Sequence, residues 1–350
     1  MSGSARTIFD EVLATTERPT TKSPTSACDA PAMADPPTLS GLLTTLIDTF
    51  EDYASQGQAV APRGSAWEQE NREARSTRGG GGRERAAIID EVVHDAAILL
   101  IQVMGLSRGI ATMVEQTEAT NVYNQIAVST LLRTQFESAA IVEWLLTVDL
   151  GPEERARRWL IWQFDDLASE RNTIRQFEDP TAPALIDAQA KLDEREGRLR
   201  RRASGASFVD RPSDASGQHA RLTRPSTKNP AGAGVAVEMP SKTVLVDNFC
   251  GFAGFYSILS RSAHGSRSGI IEGLVVADDE PVRGLRRALI SPAGLDLHLA
   301  LSCTGLGLRG SVVAVDRWCG PNAASSTAAL KFDRTSKQFR QAVDSALPIK

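Results

Sequence analysis

The amino-acid sequence predicts a mainly all-α fold, a helical bundle with long irregular insertions. Residues 88–104 and 123–146 carry apolar side chains at the three-to-four-residue spacing of a buried helix face. A third stretch of this kind starts at Pro152, a residue that suits the first turn of a helix, and continues through Trp159 and Phe164. Three successive long helices indicate a bundle.

Composition predicts a folded body without a strong overall charge. The chain has 350 residues, of which 41% are hydrophobic, so a sizeable core can form. The net charge of -4, from 39 basic and 43 acidic residues, gives no global attraction to nucleic acid or to an anionic membrane.

The sequence shows neither a secretory signal nor a clear membrane span. Charged residues interrupt the first 20 positions, where a signal peptide needs an apolar segment. The longest strongly apolar stretch, residues 96–106, is far shorter than the roughly 20 residues that cross a bilayer. We therefore expect a cytoplasmic protein that makes no use of a membrane.

Changes in composition divide the chain into four parts. Residues 1–38 are rich in Thr, Ser and Pro and are predicted to form a flexible N-terminal arm. Residues 39–85 are predicted to contain a short helix at about 39–55, capped by Ser40, and then a Gly-rich linker. The bundle is expected over residues 86–320, and a C-terminal helix and tail over 321–350.

Within the bundle, the pattern predicts one long interruption. A polar helix is expected at about 181–202, followed by a basic loop at 203–240 that lacks any apolar period. Helices resume at about 241–262 and 292–315, and residues 334–346 are amphipathic.

No metal site or bound cofactor is predicted. The four cysteines, Cys28, Cys250, Cys303 and Cys319, lack the close pairing of a zinc site. Glu91 and His94 have the spacing found in di-iron bundles, but those bundles need a second such pair, which the chain does not contain.

Three glycines match a dinucleotide-binding pattern, Gly-x-Gly-x-x-Gly, at Gly305, Gly307 and Gly310. A true site has a strand before the glycines and a helix after them. Here the β-branched residues 311–315 follow, and no alternation of strands and helices surrounds them. We interpret the three residues as packing or helix-breaking glycines.

The first candidate site is the segment that carries Arg261 and His264. A histidine beside Gly265 at a helix end titrates near neutral pH, and Arg261 three residues earlier lies on about the same face. Such a pair can polarise a phosphate group and move its proton. The alternative is that His264 caps the helix while Gly265 makes the left-handed turn.

The second candidate is the pair Arg133 and Glu137, one helical turn apart. An arginine before a glutamate is the less favourable order for a surface pair, and apolar residues such as Phe136 adjoin it. We therefore expect a partly buried pair, which either fixes the position of the helix or belongs to a functional site.

Basic residues cluster between Arg195 and Lys228, where nine basic side chains stand against three acidic ones, a local charge of +6. A flexible basic segment can follow a phosphate backbone, so nucleic acid is a candidate partner through the loop from Arg198 to Lys228. The alternative is a solvated insertion with no partner.

Three segments together resemble a bacterial family of all-helical domains of unknown function, over about residues 86–320. They are Arg133-x-x-x-Glu137, Glu154-Arg155-x-x-Arg158-Trp159 and Tyr256-x-x-x-Ser260-x-x-x-His264-Gly265. The domain also loosely resembles the HEPN class, helical bundles that often dimerise and in some members cleave RNA with an Arg and a His. That class has four to six residues between the two, whereas only two separate Arg261 from His264 here.

Two functions remain open from the sequence. The first is a regulatory or interaction module that acts through a protein partner or a homodimer. The alternative is a metal-independent nuclease, with His264 as acid and base and Arg261 or Arg133 stabilising phosphate charge beside Glu137.

Overall fold

The computed structural model of the protein is mainly all-α. It describes, in order, residues 38–57, 64–77, 81–120, 124–176, 182–211, 221–224, 235–237, 239–251, 256–257, 259–260, 275–276, 288–289, 294–320 and 323–346. The arm expected at residues 1–38 lies outside these ranges except for Thr38.

The described residues contain nine helices of nine residues or more. In chain order they are α1 (Leu39–Gly57), α2 (Ala66–Ser76), α3 (Gly82–Thr120), α4 (Gln125–Leu146), α5 (Gly151–Arg175), α6 (Pro183–Gly205), α7 (Lys242–Cys250), α8 (Gly294–Cys319) and α9 (Ala323–Ala346).

Helix α3 lies at the centre of the bundle and contacts α1, α2, α4, α5 and α8. Its buried side chains include Ile88, Ile89, Val92, Val103, Ile110 and Val114. By length and composition α3 is also apolar enough to cross a membrane, which the short stretch at 96–106 did not indicate. Half of that apolar window is buried inside the protein, and the core helix of a soluble protein can have the same length and composition.

The prediction of a Gly-rich linker within residues 39–85 is wrong in part, because helix α2 forms there. Ser65 caps this helix and accepts a hydrogen bond from the backbone N–H of Glu68, at 3.1 Å. Helix α2 has little apolar surface of its own: its buried residues are Glu70, Asn71 and Ala74. An ion pair between Glu70 and Arg155 helps this polar helix to pack against the bundle.

Arg155, at the start of α5, is fully buried and joins three helices. Its guanidinium donates to both carboxylate oxygens of Glu70 in α2, and to the backbone carbonyls of Leu145 and Thr147 at the C-terminal end of α4. The guanidinium also stacks 4.2 Å from the ring centroid of Trp318 in α8. The guanidinium thus donates to backbone carbonyls at the end of α4 that have no hydrogen-bond donor within the helix.

The predicted basic loop at 203–240 is also corrected. Helix α6 continues to Gly205, and three short strands follow: β1 (Val209–Arg211), β2 (Arg221–Arg224) and β3 (Val235–Val237). They form an antiparallel sheet in that order, with Asp210 opposite Leu222 and Thr223 opposite Ala236. Strands β4 (Val275–Val276) and β5 (Ala288–Leu289) form a separate antiparallel pair.

Helix α7 is shorter than the sequence predicts. The helix expected at 241–262 stops at Cys250, because Gly251 adopts a left-handed conformation with φ of 66°. The C-terminal helix expected within residues 321–350 forms at Ala323–Ala346, so it begins before the amphipathic stretch at 334–346.

The glycines at 305, 307 and 310 all lie inside α8, so they neither break the helix nor open a phosphate loop. A Cβ on Gly310 would stand 2.3 Å from Cζ of Phe249, and one on Gly307 would stand 3.2 Å from Cδ of Gln135. These two glycines therefore permit close packing of α8 against α7 and α4.

Candidate functional site

The Arg133–Glu137 pair forms the centre of a polar cluster between α4 and the chain after α7. The Arg133 Nε donates to Glu137 Oε1 at 3.0 Å. Both Nε and Nη2 of Arg133 donate to the hydroxyl of Tyr256, at 3.2 and 2.8 Å. That hydroxyl donates in turn to Glu137 Oε1, at 2.8 Å.

Two residues of α7 hold Glu137 and Tyr256 in place. Lys242, at the first position of α7, donates from Nζ to the second carboxylate oxygen of Glu137 at 2.9 Å. Asp247 accepts a hydrogen bond from the backbone N–H of Tyr256 at 3.1 Å and so positions the backbone of Tyr256. We call Arg133, Glu137, Lys242 and Tyr256 the α4–α7 cluster.

Local sequence explains how these side chains meet. Residues four apart on α4 share a face, which places Arg133 beside Glu137. Ser241 caps α7 by accepting from the Val244 N–H, and this cap sets the position of the neighbouring Lys242. Phe249 of α7 then packs edge-on against Phe136 of α4, with ring centroids 5.8 Å apart.

The cluster is partly buried, and its electrostatics favour the charged carboxylate. Side-chain exposure is 25% for Arg133 and 14% for Glu137. Burial alone would raise the pKa of Glu137, but the hydrogen bond and charge of Lys242, together with the bonds from Tyr256 and Arg133, hold that pKa below its usual value. Burial and the adjacent Glu137 raise the pKa of Tyr256, so its hydroxyl stays protonated.

These contacts limit what the cluster can do chemically. A general base needs a pKa near the working pH and a free lone pair directed at its substrate. Glu137 has a lowered pKa, and both of its oxygens already accept hydrogen bonds from the protein. Arg133 is paired with Glu137 and Tyr256 and stacks 5.2 Å from the tyrosine ring centroid.

The other two predicted site residues, Arg261 and His264, lie outside the described residues. Tyr256, the first residue of the motif that contains them, contacts both Arg133 and Glu137.

Of the Glu91 and His94 pair, the carboxylate of Glu91 has a structural role. Glu91 of α3 accepts a hydrogen bond from Arg202 of α6, which also donates to Glu84 at 2.7 Å. Within the described ranges, no group of three or more His, Cys, Asp or Glu side chains is arranged to hold a metal ion.

The basic segment is less positive in its helical part than the sequence suggests. Arg195 pairs with Asp166 and Glu170, at 2.7 and 2.6 Å. Arg198, Arg200 and Arg202 likewise pair with carboxylates of α6 or α3. Several of these carboxylates lie outside residues 195–228, so the local sum of +6 omitted them. The side chains of residues 209–238 are not described.

Lys242 and the role of Tyr256 could not be found from the sequence. Lys242 is 105 residues from Glu137 and Tyr256 is 119 residues away. No periodic pattern relates positions so far apart. The one local signal was the apolar surroundings of the Arg133–Glu137 pair, which indicated partial burial.

Comparison with protein-family models, with curated proteins and with solved structures gives no match to this chain.

Proposed function

We propose that the protein is a non-catalytic helical module that acts through a protein partner or a second copy of itself, in the cytoplasm. The observation that carries this proposal is the closed hydrogen bonding of the α4–α7 cluster. Arg133, Lys242 and Tyr256 together occupy both carboxylate oxygens of Glu137. Groups satisfied in this way fix one helix against another and are poorly placed to transfer protons.

The ion pairing of α6 supports a protein partner over nucleic acid for this part of the chain. Binding to a phosphate backbone depends on unneutralised cations that release counterions. Arg195 and Arg202 each already contact two carboxylates. Nucleic acid would therefore have to displace those carboxylates, or bind through the strands that follow α6.

One observation keeps the nuclease as a second candidate. Tyr256 contacts Arg133 and Glu137, and the chain continues from it to Arg261 and His264. Arg261 follows Tyr256 by five positions in the sequence, so the segment with the histidine starts at the cluster. In this alternative His264 acts as acid and base, and Arg133 stabilises phosphate charge.

The two candidates are separated by a cleavage assay on the full-length protein. Wild type and His264→Ala would be incubated with single-stranded RNA, duplex RNA and DNA in the presence of a chelator. We expect no cleavage by either protein. Cleavage by wild type that the His264→Ala variant lacks would overturn the module proposal in favour of the nuclease.

Self-association is measured on the same preparation by sedimentation velocity over a hundredfold range of concentration. A dimer that forms reversibly supports the homodimer version. A monomer at every concentration rules that version out and leaves a different protein as the partner.

A further inference from the structure

Helices α5 and α6 form an antiparallel hairpin whose outer part is held mainly by charge. Helix α6 makes its main contacts with α5 and β1. From residue 183 to residue 198, all of which are described, Leu192 is the one buried side chain. We call residues 183–198 the strap.

Two arginines join the strap to α5. Arg195 of the strap contacts Asp166 and Glu170 of α5, at 2.7 and 2.6 Å. Arg171 of α5 contacts Asp193 of the strap at 2.6 Å, and Glu196 as well. Asp166, Glu170 and Asp193 are each more than 40% exposed, so dissolved ions reach these pairs.

The rest of α6 is anchored differently. Leu199, Ala203, Ala206 and Phe208 are all buried in the main core. The side chain of Arg85 in α3 donates to the Ala206 carbonyl at 3.0 Å and lies 5.7 Å from the Phe208 ring centroid. Residues 199–208, held by these buried apolar side chains and by the pairs of Arg202 with Glu84 and Glu91, are the anchor of the strap.

We propose that the strap is a salt-sensitive device, docked on α5 by the Arg171 and Arg195 ion pairs and released from the anchor when those pairs are screened or replaced. Release frees Arg171, Arg195 and three carboxylates at one place, while Glu196 stays paired with Arg200 inside α6. A protein with an alternating pattern of charge could then take over the same contacts. This inference does not depend on the proposed function of the α4–α7 cluster.

The physical reason is the difference in how the two parts are held. Ionic strength of 1 M reduces the screening length to about 3 Å, which weakens exposed ion pairs but not apolar contacts. A released strap would also lose helical structure, because an isolated helix of this length is marginal in water. Exchange of its backbone amides therefore reports release.

Hydrogen exchange followed by mass spectrometry on the full-length protein tests the proposal. Wild type would be measured between 0.05 and 1 M NaCl, with exchange in residues 183–198 expressed relative to residues 199–208. We expect relative exchange in the strap to rise about fivefold or more with salt, since each exposed pair changes an equilibrium by up to about fivefold. A ratio that does not change with salt overturns the proposal.

Two variants at low salt sharpen the result. Arg195→Gln is expected to show the fast strap exchange of wild type at high salt, with little further response to NaCl. Lys337→Gln is the matched control, because it removes one cation from an exposed pair with Asp333 on α9. Strap exchange should keep its wild-type value in this control. If Arg195→Gln did not fold, the wild-type salt series would still decide.

Discussion

The guanidinium of Arg155 and the carboxylate of Glu70 form a two-contact ion pair inside the protein, with Nε to Oε2 at 2.5 Å and Nη2 to Oε1 at 2.6 Å. The Arg155 side chain is 0% exposed and that of Glu70 is 8% exposed. Because water hardly reaches this pair, each charge depends on the other. The pair is thus a buried polar link between α2 and the bundle, beside the hydrogen bond from Asn71 to Asp90.

Glu70→Ala is expected to lower the free energy of unfolding by about 3–5 kcal/mol, because it leaves the Arg155 cation buried without its partner. Urea denaturation measures this loss. The control is Lys337→Ala in the exposed Lys337–Asp333 pair, which should change stability by less than about 0.5 kcal/mol. Equal effects of the two substitutions would contradict the buried role of Glu70.

Gly310→Ala is expected to destabilise the protein by about 1–3 kcal/mol, because the new Cβ would meet the ring of Phe249. Gly105 in α3 is the matched control, since nothing lies within 4 Å of a Cβ added there. Gly105→Ala should stabilise the helix by up to about 1 kcal/mol. Thermal unfolding of both variants measures these changes in stability. A stabilising effect of Gly310→Ala would show that α8 does not approach α7 this closely.

Glu137 is expected to make stability depend on pH in the acid range. Its pKa is lowered in the folded protein, so it stabilises the fold above the usual carboxyl pKa of 4.5 and loses that effect as the pH falls through its folded pKa. Wild type should therefore exceed Glu137→Gln in stability at neutral pH, with the difference shrinking below about pH 4.5. A difference that stays constant from pH 7 to pH 3 would contradict the pairing with Lys242 and Arg133.

Asp95 should show the opposite dependence. Burial, opposed by hydrogen bonds such as that from Trp159, raises the pKa of Asp95 above its usual 3.8. The group therefore favours folding below its unfolded pKa and loses that contribution as the pH rises through the folded pKa. The stability of Asp95→Asn relative to wild type should increase with pH between about 3 and 7, as measured by urea unfolding at each pH. An unchanged difference would contradict a raised pKa.

Much of the helical fold was accessible from local sequence, as α3, α4 and α5 illustrate. Their apolar residues recur at helical spacing and are buried in the structure. Helix α2 was missed because its own apolar content is small. Beside the few apolar contacts of Trp67 and Ala74, it packs through Glu70, whose partner Arg155 is 85 residues away.

The candidate site was predictable only where its residues are neighbours on one helix. Arg133 and Glu137 are four apart, so their contact follows from helix geometry. Lys242 and Tyr256 reach the same carboxylate from more than 100 residues away. The charge of the basic segment was misjudged for the same reason, since Arg202 pairs with Glu84 across 118 residues.

The most direct test of a closed, structural α4–α7 cluster is a double-mutant cycle of Tyr256→Phe and Glu137→Gln, measured by urea unfolding at pH 7. Neither substitution leaves a large cavity, and Glu137→Gln removes the negative charge while keeping an acceptor oxygen, so the cycle reports how far the hydroxyl contact depends on the carboxylate charge. We expect each single variant to lose stability and the two losses to be coupled by about 1 kcal/mol. Additive effects, with both single variants as stable as wild type, would contradict the account.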